Sequence, residues 1–233
     1  FYCLKLWIID MKNNALMILD GGMGRELKRR GAPFRQPEWS ALAMMEAPEI
    51  VRQVHDDYIQ SGAQLITTNS YALVPFHLGE EVFKEQGLSL AQRSGDVARK
   101  AADASSTPVK VAGSLAPLFG SYRADLFEAD KVEALATPLI QGLEPYVDLW
   151  LSETQSLIAE PVAVKAVIDK LSSSKKSFWV SFTLEDSLAI EEPVLRSGET
   201  VADAVKAMHG IGADAVLFNC CQPEVIEKAL LVA

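Results

Sequence analysis

Residues 147–153, Val-Asp-Leu-Trp-Leu-Ser-Glu, and residues 178–184, Phe-Trp-Val-Ser-Phe-Thr-Leu, are short, mostly apolar runs rich in branched and aromatic side chains. Between them Ala163, Val167 and Leu171 recur at the three-to-four-residue spacing of an amphipathic helix. A strand with an apolar interior suits a sheet covered on both faces, and strand–helix–strand is the repeating unit of parallel sheets. The same alternation extends outward in both directions. Strands are expected at 16–20, 64–69 and 109–114 on one side and at 215–220 on the other.

The intervening segments read as helices. Pro48 suits a first helical position, and Ile50, Val51, Val54 and Tyr58 follow at helical spacing up to Gly62. Residues 89–104 are alanine-rich. Val132, Leu135, Leu139 and Leu143 form one stripe, with Pro138 expected to kink it. Val201, Val205 and Met208 mark a further helix, and another begins near Pro223. Six strand–helix repeats without a linker give one parallel α/β domain. Two topologies fit, a doubly wound sheet or a (β/α)8 TIM barrel of which about six units are present.

Composition narrows the function classes. The 233 residues are 49% hydrophobic and 23% charged, which suits a globular core and excludes a disordered chain. With 22 basic and 31 acidic residues the net charge is −9, which disfavours nucleic acid as a partner. No uninterrupted apolar run reaches the length of about 18 residues that a membrane span needs. Cys3, Cys220 and Cys221 are odd in number and two are adjacent, so a disulfide framework is excluded and a reducing, cytoplasmic setting is expected. Residues 1–10 lack an initiator Met and precede a more natural start at Met11. They are expected to be an upstream leader, leaving 11–233 as the barrel domain.

In either topology ligands gather at the carboxyl ends of the strands. Those ends carry Asp20-Gly21-Gly22-Met23-Gly24, Thr68-Asn69-Ser70-Tyr71, Gly113-Ser114, Glu153-Thr154, Thr183 with Glu185-Asp186, and Asn219-Cys220-Cys221. The glycines after Asp20 form a tight turn that lets backbone amides approach a ligand, or a phosphate loop without the full dinucleotide or Walker pattern. Asp20 caps that turn or serves the site. A carboxylate at the depth of Glu153 is paired or functional. Cys220 is a small buried hydrophobe, a soft-metal ligand or a nucleophile. His55 and His209 fall within helices and read as packing or surface residues, and His77 lies nearer the rim.

The order of these motifs resembles the homocysteine S-methyltransferase family. The resemblance is carried by Leu19-Asp20-Gly21-Gly22-Met23-Gly24-Arg25-Glu26-Leu27, Trp39-Ser40-Ala41, Ile66-Thr67-Thr68-Asn69-Ser70-Tyr71, Gly113-Ser114-Leu115-Ala116-Pro117 with Tyr122, Glu153-Thr154, and Asn219-Cys220 with Pro223. It implies a (β/α)8 barrel that transfers a methyl group from a small sulfonium or ammonium donor to the thiol of homocysteine, giving methionine. It also implies a Zn2+ ion held by three cysteines, of which Cys220 matches one. Asp20, Gly21 and Glu153, together with Asn69 and Tyr71, match substrate-binding positions. The family's adjacent cysteine pair has no counterpart here, and Leu217-Phe218 stand where one small glycine is usual. The natural protein is therefore expected to be longer and this chain inactive or nearly so, unless Cys221 replaces a ligand. A non-catalytic small-molecule-binding remnant of the barrel is the alternative, and a barrel acting on phosphorylated substrates a third. Oligomeric state stays open.

Overall fold

A computed structural model describes residues 6–10, 15–187 and 192–233. Seven strands are described: β1 (Leu6–Asp10), β2 (Ala15–Ile18), β3 (Leu65–Thr67), β4 (Lys110–Leu115), β5 (Leu149–Gln155), β6 (Ser177–Phe182) and β7 (Ala215–Phe218). Between and after them run α1 (Met23–Arg29), α2 (Ser40–Glu46), α3 (Pro48–Gln60), α4 (Pro75–Leu78), α5 (Glu80–Asp103), α6 (Val132–Leu143), α7 (Ala159–Leu171), α8 (Val201–Gly210) and α9 (Pro223–Val232). Strands β3 to β7 form one parallel sheet in which each strand pairs with its successor. A doubly wound sheet reverses its strand order at a switch point. Sequential order throughout is barrel winding, so the described strands are an arc of a (β/α) barrel.

Side-chain alternation sets the layers, because successive strand residues face opposite ways. Ile66, Val111, Trp150, Phe178, Val180, Phe182 and Phe218 face outward into the core shared with the helices. Leu19, Leu65, Ala112, Leu149, Leu151, Trp179 and Leu217 face inward and fill the barrel. Leu217 and Phe218, unusual beside the expected glycine, thus fall one in each layer. At the carboxyl ends the inward positions turn polar: Thr67, Ser114, Glu153, Ser181 and Asn219 are all buried.

The first strand of the arc is the most weakly joined. β2 meets β3 through the bridge between Leu19 and Leu65 and through Asp20 N–H donating to the Leu65 carbonyl at 2.9 Å. On its other edge β2 pairs antiparallel with β1, which also approaches β7. The leader expected at residues 1–10 thus contains a strand lying beside the opening between the first and last parallel strands. Residues 1–5, with Cys3, fall outside the described residues.

One local expectation is revised. α5 starts at Glu80, well before residue 89, so Glu80 and Glu81 occupy its first turn, where acidic side chains suit the helix dipole. α6 carries Pro138 in its interior. Lys176 Nζ lies 2.8 Å from Glu144 Oε1.

Two fully or largely buried ionisable groups lie in the helical shell. His55 of α3 is 0% exposed, and neither ring nitrogen has a hydrogen-bond partner. Burial, aided by the charge of Arg52, pushes its pKa from 6.5 down to about 3. Glu160 of α7 accepts the Leu118 N–H at 2.6 Å, yet burial raises its pKa from 4.5 to about 7. These groups link stability to pH in opposite senses. As pH falls from 6.5 towards 3, the unfolded imidazole takes up a proton that folded His55 refuses, and stability is lost. As pH rises from 4.5 to 7, the unfolded carboxyl releases a proton that folded Glu160 keeps, and stability is again lost. Relative to the unsubstituted chain, His55→Leu gains about 1.4 kcal/mol for each unit the pH falls between 6.5 and 4.5. Glu160→Gln gains about the same for each unit it rises between 4.5 and 7. Urea unfolding across pH 4.5–7 measures both slopes, and parallel curves for either variant and the parent reject the corresponding assignment.

Candidate active site

The inward polar residues at the strand ends form one connected set. Asp20 is 1% exposed, and its Oδ2 accepts from the backbone N–H of Thr67 at 2.7 Å and from Thr67 Oγ1 at 2.9 Å. Its carboxylate therefore reinforces the thin β2–β3 junction as well as lying at the mouth. The turn that follows passes under Tyr58, whose hydroxyl donates to the Gly22 carbonyl at 3.3 Å. A Cβ on Gly21 would sit 2.8 Å from Tyr58 Oη, so close approach of a ring requires glycine there.

At the end of β3, Thr68 Oγ1 accepts the Ser114 N–H at 3.0 Å, and Ser70 Oγ donates to the Ser114 carbonyl at 2.6 Å. Asn69 is buried with its Nδ2 donating to the Ser40 carbonyl at 3.0 Å, so that amide anchors the start of α2. Tyr71 is half-buried and its hydroxyl shares a 2.6 Å hydrogen bond with Ser121. Burial pushes the Tyr71 phenol well above its usual pKa, partly offset by the Ser121 hydrogen bond, and negative charge at Cys220 and Glu153 adds to the rise.

Glu153, 5% exposed, projects inward from β5 and accepts a short hydrogen bond from Ser114 Oγ. The next residue, Thr154, has φ 59°, and Cys220, just past β7, has φ 53°. Left-handed backbone at non-glycine residues costs of order 1–3 kcal/mol and gathers at functional sites. Here the two strained residues touch. Thr154 Oγ1 donates to Cys220 Sγ at 3.8 Å, and Asn219 Nδ2 reaches Thr154 Oγ1 at 2.9 Å and Cys220 Sγ at 3.5 Å. Ser181 Oγ completes the chain by donating to Asn219 Oδ1 at 2.7 Å. The Cys220 carbonyl accepts from Thr183 Oγ1 at 3.2 Å and from the Tyr122 hydroxyl at 3.5 Å. Arg196, ion-paired with Asp186 at 2.7 Å, stacks over Tyr122 at 5.3 Å.

The structure thus brings together Glu153, Tyr71 and Cys220, and sets Asp20 and Gly21 at the adjoining strand end. A cleft lined by Leu19, Leu151, Glu153, Ser181, Leu217 and Asn219 opens among them, apolar below and polar above. Cys221 does not join it, because the turn at Cys220 packs Cys221 against the helix-side core. Among the described residues no group of three or more His, Cys, Asp or Glu side chains is arranged to hold a metal ion. The residues present therefore fit one sulfur corner of a tetrahedral zinc site, not the closed set. Sequence reasoning singled out Tyr122 among the motif residues but missed Ser181 and Arg196 as parts of this network. Inward alternation from Trp179 marks Ser181, whereas the segment carrying Arg196 has no periodicity to place it.

Among the described residues no helix is long and apolar enough to cross a membrane. The homocysteine S-methyltransferase family profile matches residues 17–233. The homocysteine S-methyltransferase of Escherichia coli strain K12 is 31% identical, covering 92% of this chain and 72% of the relative. Homocysteine S-methyltransferase 1 of Arabidopsis thaliana is 28% identical over 91% of this chain and 71% of its own length. A selenocysteine methyltransferase of Astragalus bisulcatus is 27% identical over 92% and 71%. The crystal structure of the homocysteine methyltransferase MmuM from Escherichia coli, in its metallated form, superposes with a TM-score of 0.81 at 30% identity, covering 94% of this chain and 80% of that one. The chain is shorter than these relatives, and its fold and its sequence agree: it belongs to the homocysteine S-methyltransferase family.

Proposed function

We propose that the barrel mouth binds homocysteine and presents its sulfur to a small sulfonium or ammonium methyl donor, giving methionine. The observation that carries this reading is that the buried carboxylate of Glu153 adjoins Thr154, whose hydroxyl donates to Cys220 Sγ, so that a carboxylate and a sulfur share one end of the sheet. Glu153 suits the substrate ammonium group, because a buried carboxylate binds an opposite charge far more strongly than an exposed one. The Gly21-Gly22 turn offers backbone amides to the substrate carboxylate. Asp20 holds that turn against β3, and Asn69 holds α2 beside it. Tyr71 and Trp39 give the donor side uncharged rings, whose faces attract a cation.

The metallated form of the MmuM crystal structure supports a metal ion as cofactor, and a cysteine sulfur such as that of Cys220 suits zinc. Zinc, when bound, lowers the pKa of the substrate thiol so that a thiolate is present at neutral pH. Cys220 would be its ligand from this chain. Asn219 and Thr154 donate to Cys220 Sγ and so favour the charged, ligating form of that sulfur. The strained turn fixes where the sulfur points. Methyl transfer needs donor, methyl and acceptor in line, so this positioning contributes to rate as well as to affinity.

Glu153→Gln is expected to weaken L-homocysteine binding about tenfold or more, the order of a charged hydrogen bond. Ser114 keeps an acceptor, so the thermal midpoint should barely change. Calorimetric titration with L-homocysteine checks this, and unchanged affinity rejects the role of Glu153. Cys220→Ala should lower the affinity of the protein for zinc, read by competition with a chromophoric chelator. Equal zinc affinity in parent and variant removes Cys220 from the metal site.

A further inference from the structure

His77 lies in α4, 6% exposed, and the mechanism above gives it no task. Its ring centroid is 5.1 Å from Phe76, edge-on at 87°, 5.8 Å from Trp39 and 6.5 Å from Tyr71. Trp39 and Phe76 are 43% and 48% exposed, so two large rings face solvent beside the mouth. Tyr71 joins this cluster to the site through Ser121, which is followed by Tyr122, whose hydroxyl donates to the Cys220 carbonyl. The Nδ1 of His77 lies 2.9 Å from the Pro37 carbonyl, which can only accept. Nδ1 therefore carries the proton of the neutral ring, and Nε2 carries none.

The groups that face His77 are the Pro37 carbonyl and the rings of Trp39, Phe76 and Tyr71. Tyr71 is the one titratable neighbour among these, and burial holds it protonated and uncharged. Burial likewise depresses the pKa of His77, only partly offset by the Pro37 hydrogen bond, with no charged side chain contributing. At neutral pH the ring is uncharged.

We propose that His77 determines donor specificity: neutral, it is one more ring in a wall that attracts a sulfonium or quaternary ammonium ion, and protonated, it repels the same ion. This inference rests on the reading that the donor is such a cation. A cation over an aromatic face gains a modest attraction, whereas a second positive charge about 6 Å away in a half-buried site opposes it with a larger repulsion. One proton on His77 therefore reverses the preference of the wall, and by linkage a bound cation lowers the proton affinity of His77 by the same factor.

The test titrates the purified chain with trimethylsulfonium chloride, following Trp39 and the His77 ring proton by NMR between pH 5 and 8. The ring proton reports the pKa of His77 in the same samples. Wild type should bind the cation about tenfold or more tightly above that pKa than below it, and the bound cation should shift the pKa downward. His77→Phe, which keeps an aromatic ring of similar size, should bind equally at both ends of the range. The proposal is overturned if wild-type affinity is flat across the His77 titration, if His77→Phe retains the drop, or if neither protein binds the cation at any pH. L-Homocysteine titrated into the same proteins separates the two claims. Its binding, sensitive to Glu153→Gln, stands when only the His77 inference falls, and is absent when the homocysteine reading itself fails.

Discussion

Each residue of a strand faces opposite to the one before it, and a barrel turns that constraint into chemistry. The outward set from Ile66 to Phe218 has to be apolar because helices cover it. The inward set has to fill a narrow interior, and Leu65, Leu149, Leu151, Trp179 and Leu217 do so. Polar side chains can face inward only above this plug. Glu153 is two residues beyond Leu151, Ser181 two beyond Trp179, and Asn219 two beyond Leu217, so each is the next inward position above the plug on its own strand. The apolar plug thus does more than stabilise the sheet. It sets the level at which a carboxylate, a hydroxyl and an amide meet, and keeps water from beneath them.

Position along the strand does not by itself aim a side chain past the sheet, and the backbone at Thr154 and Cys220 supplies that step. Both residues hold left-handed conformations that non-glycine side chains disfavour, so their surroundings must over-determine them. For Cys220 the restraint acts at both ends of the residue. Its carbonyl accepts from Thr183 and Tyr122, and its sulfur accepts from Thr154 and Asn219. Asn219 is central because it donates to Thr154 and accepts from Ser181, tying β5, β6 and β7 into one unit. A soft ligand is useful only when its direction is fixed before the ion or the substrate arrives. The cost of the strained turn is offset by hydrogen bonds that would be idle in an ordinary strand end.

Much of this was legible from residue order. The five strands of the parallel sheet, with β2 beside them, are where apolar runs place them, since a doubly covered strand leaves a strong signal, and Glu153 and Cys220 both sit at strand ends. Winding was not legible from periodicity, because a sheet neighbour lies tens of residues away and both topologies share the same repeat. Asn69 shows a related limit: residue order does not reveal that its Nδ2 donates to the carbonyl of Ser40, 29 residues earlier. Cys221 shows the limit most clearly. Adjacent cysteines look interchangeable in a sequence, but one left-handed residue sends one sulfur to the mouth and the other to the helix-side core.

The buried groups His55, Glu160 and His77 differ in what surrounds them, and that difference separates stability from function. His55 lies wholly within the helical shell with neither nitrogen hydrogen-bonded, so its neutrality is a property of packing alone. Glu160 is tied to the Leu118 backbone and shapes the loop after β4 without facing the cleft lining. His77 alone has a tautomer set by a backbone carbonyl and a ring set among other rings, two of them exposed to solvent. A proton on His55 or Glu160 changes the energy of the whole fold, and its effect reaches the site only through global unfolding. A proton on His77 changes the charge directly behind the exposed rings of Trp39 and Phe76. Burial lowers the proton affinity of both histidines, yet only where the buried ring also forms part of an accessible wall does that lowering become a means of choosing a ligand.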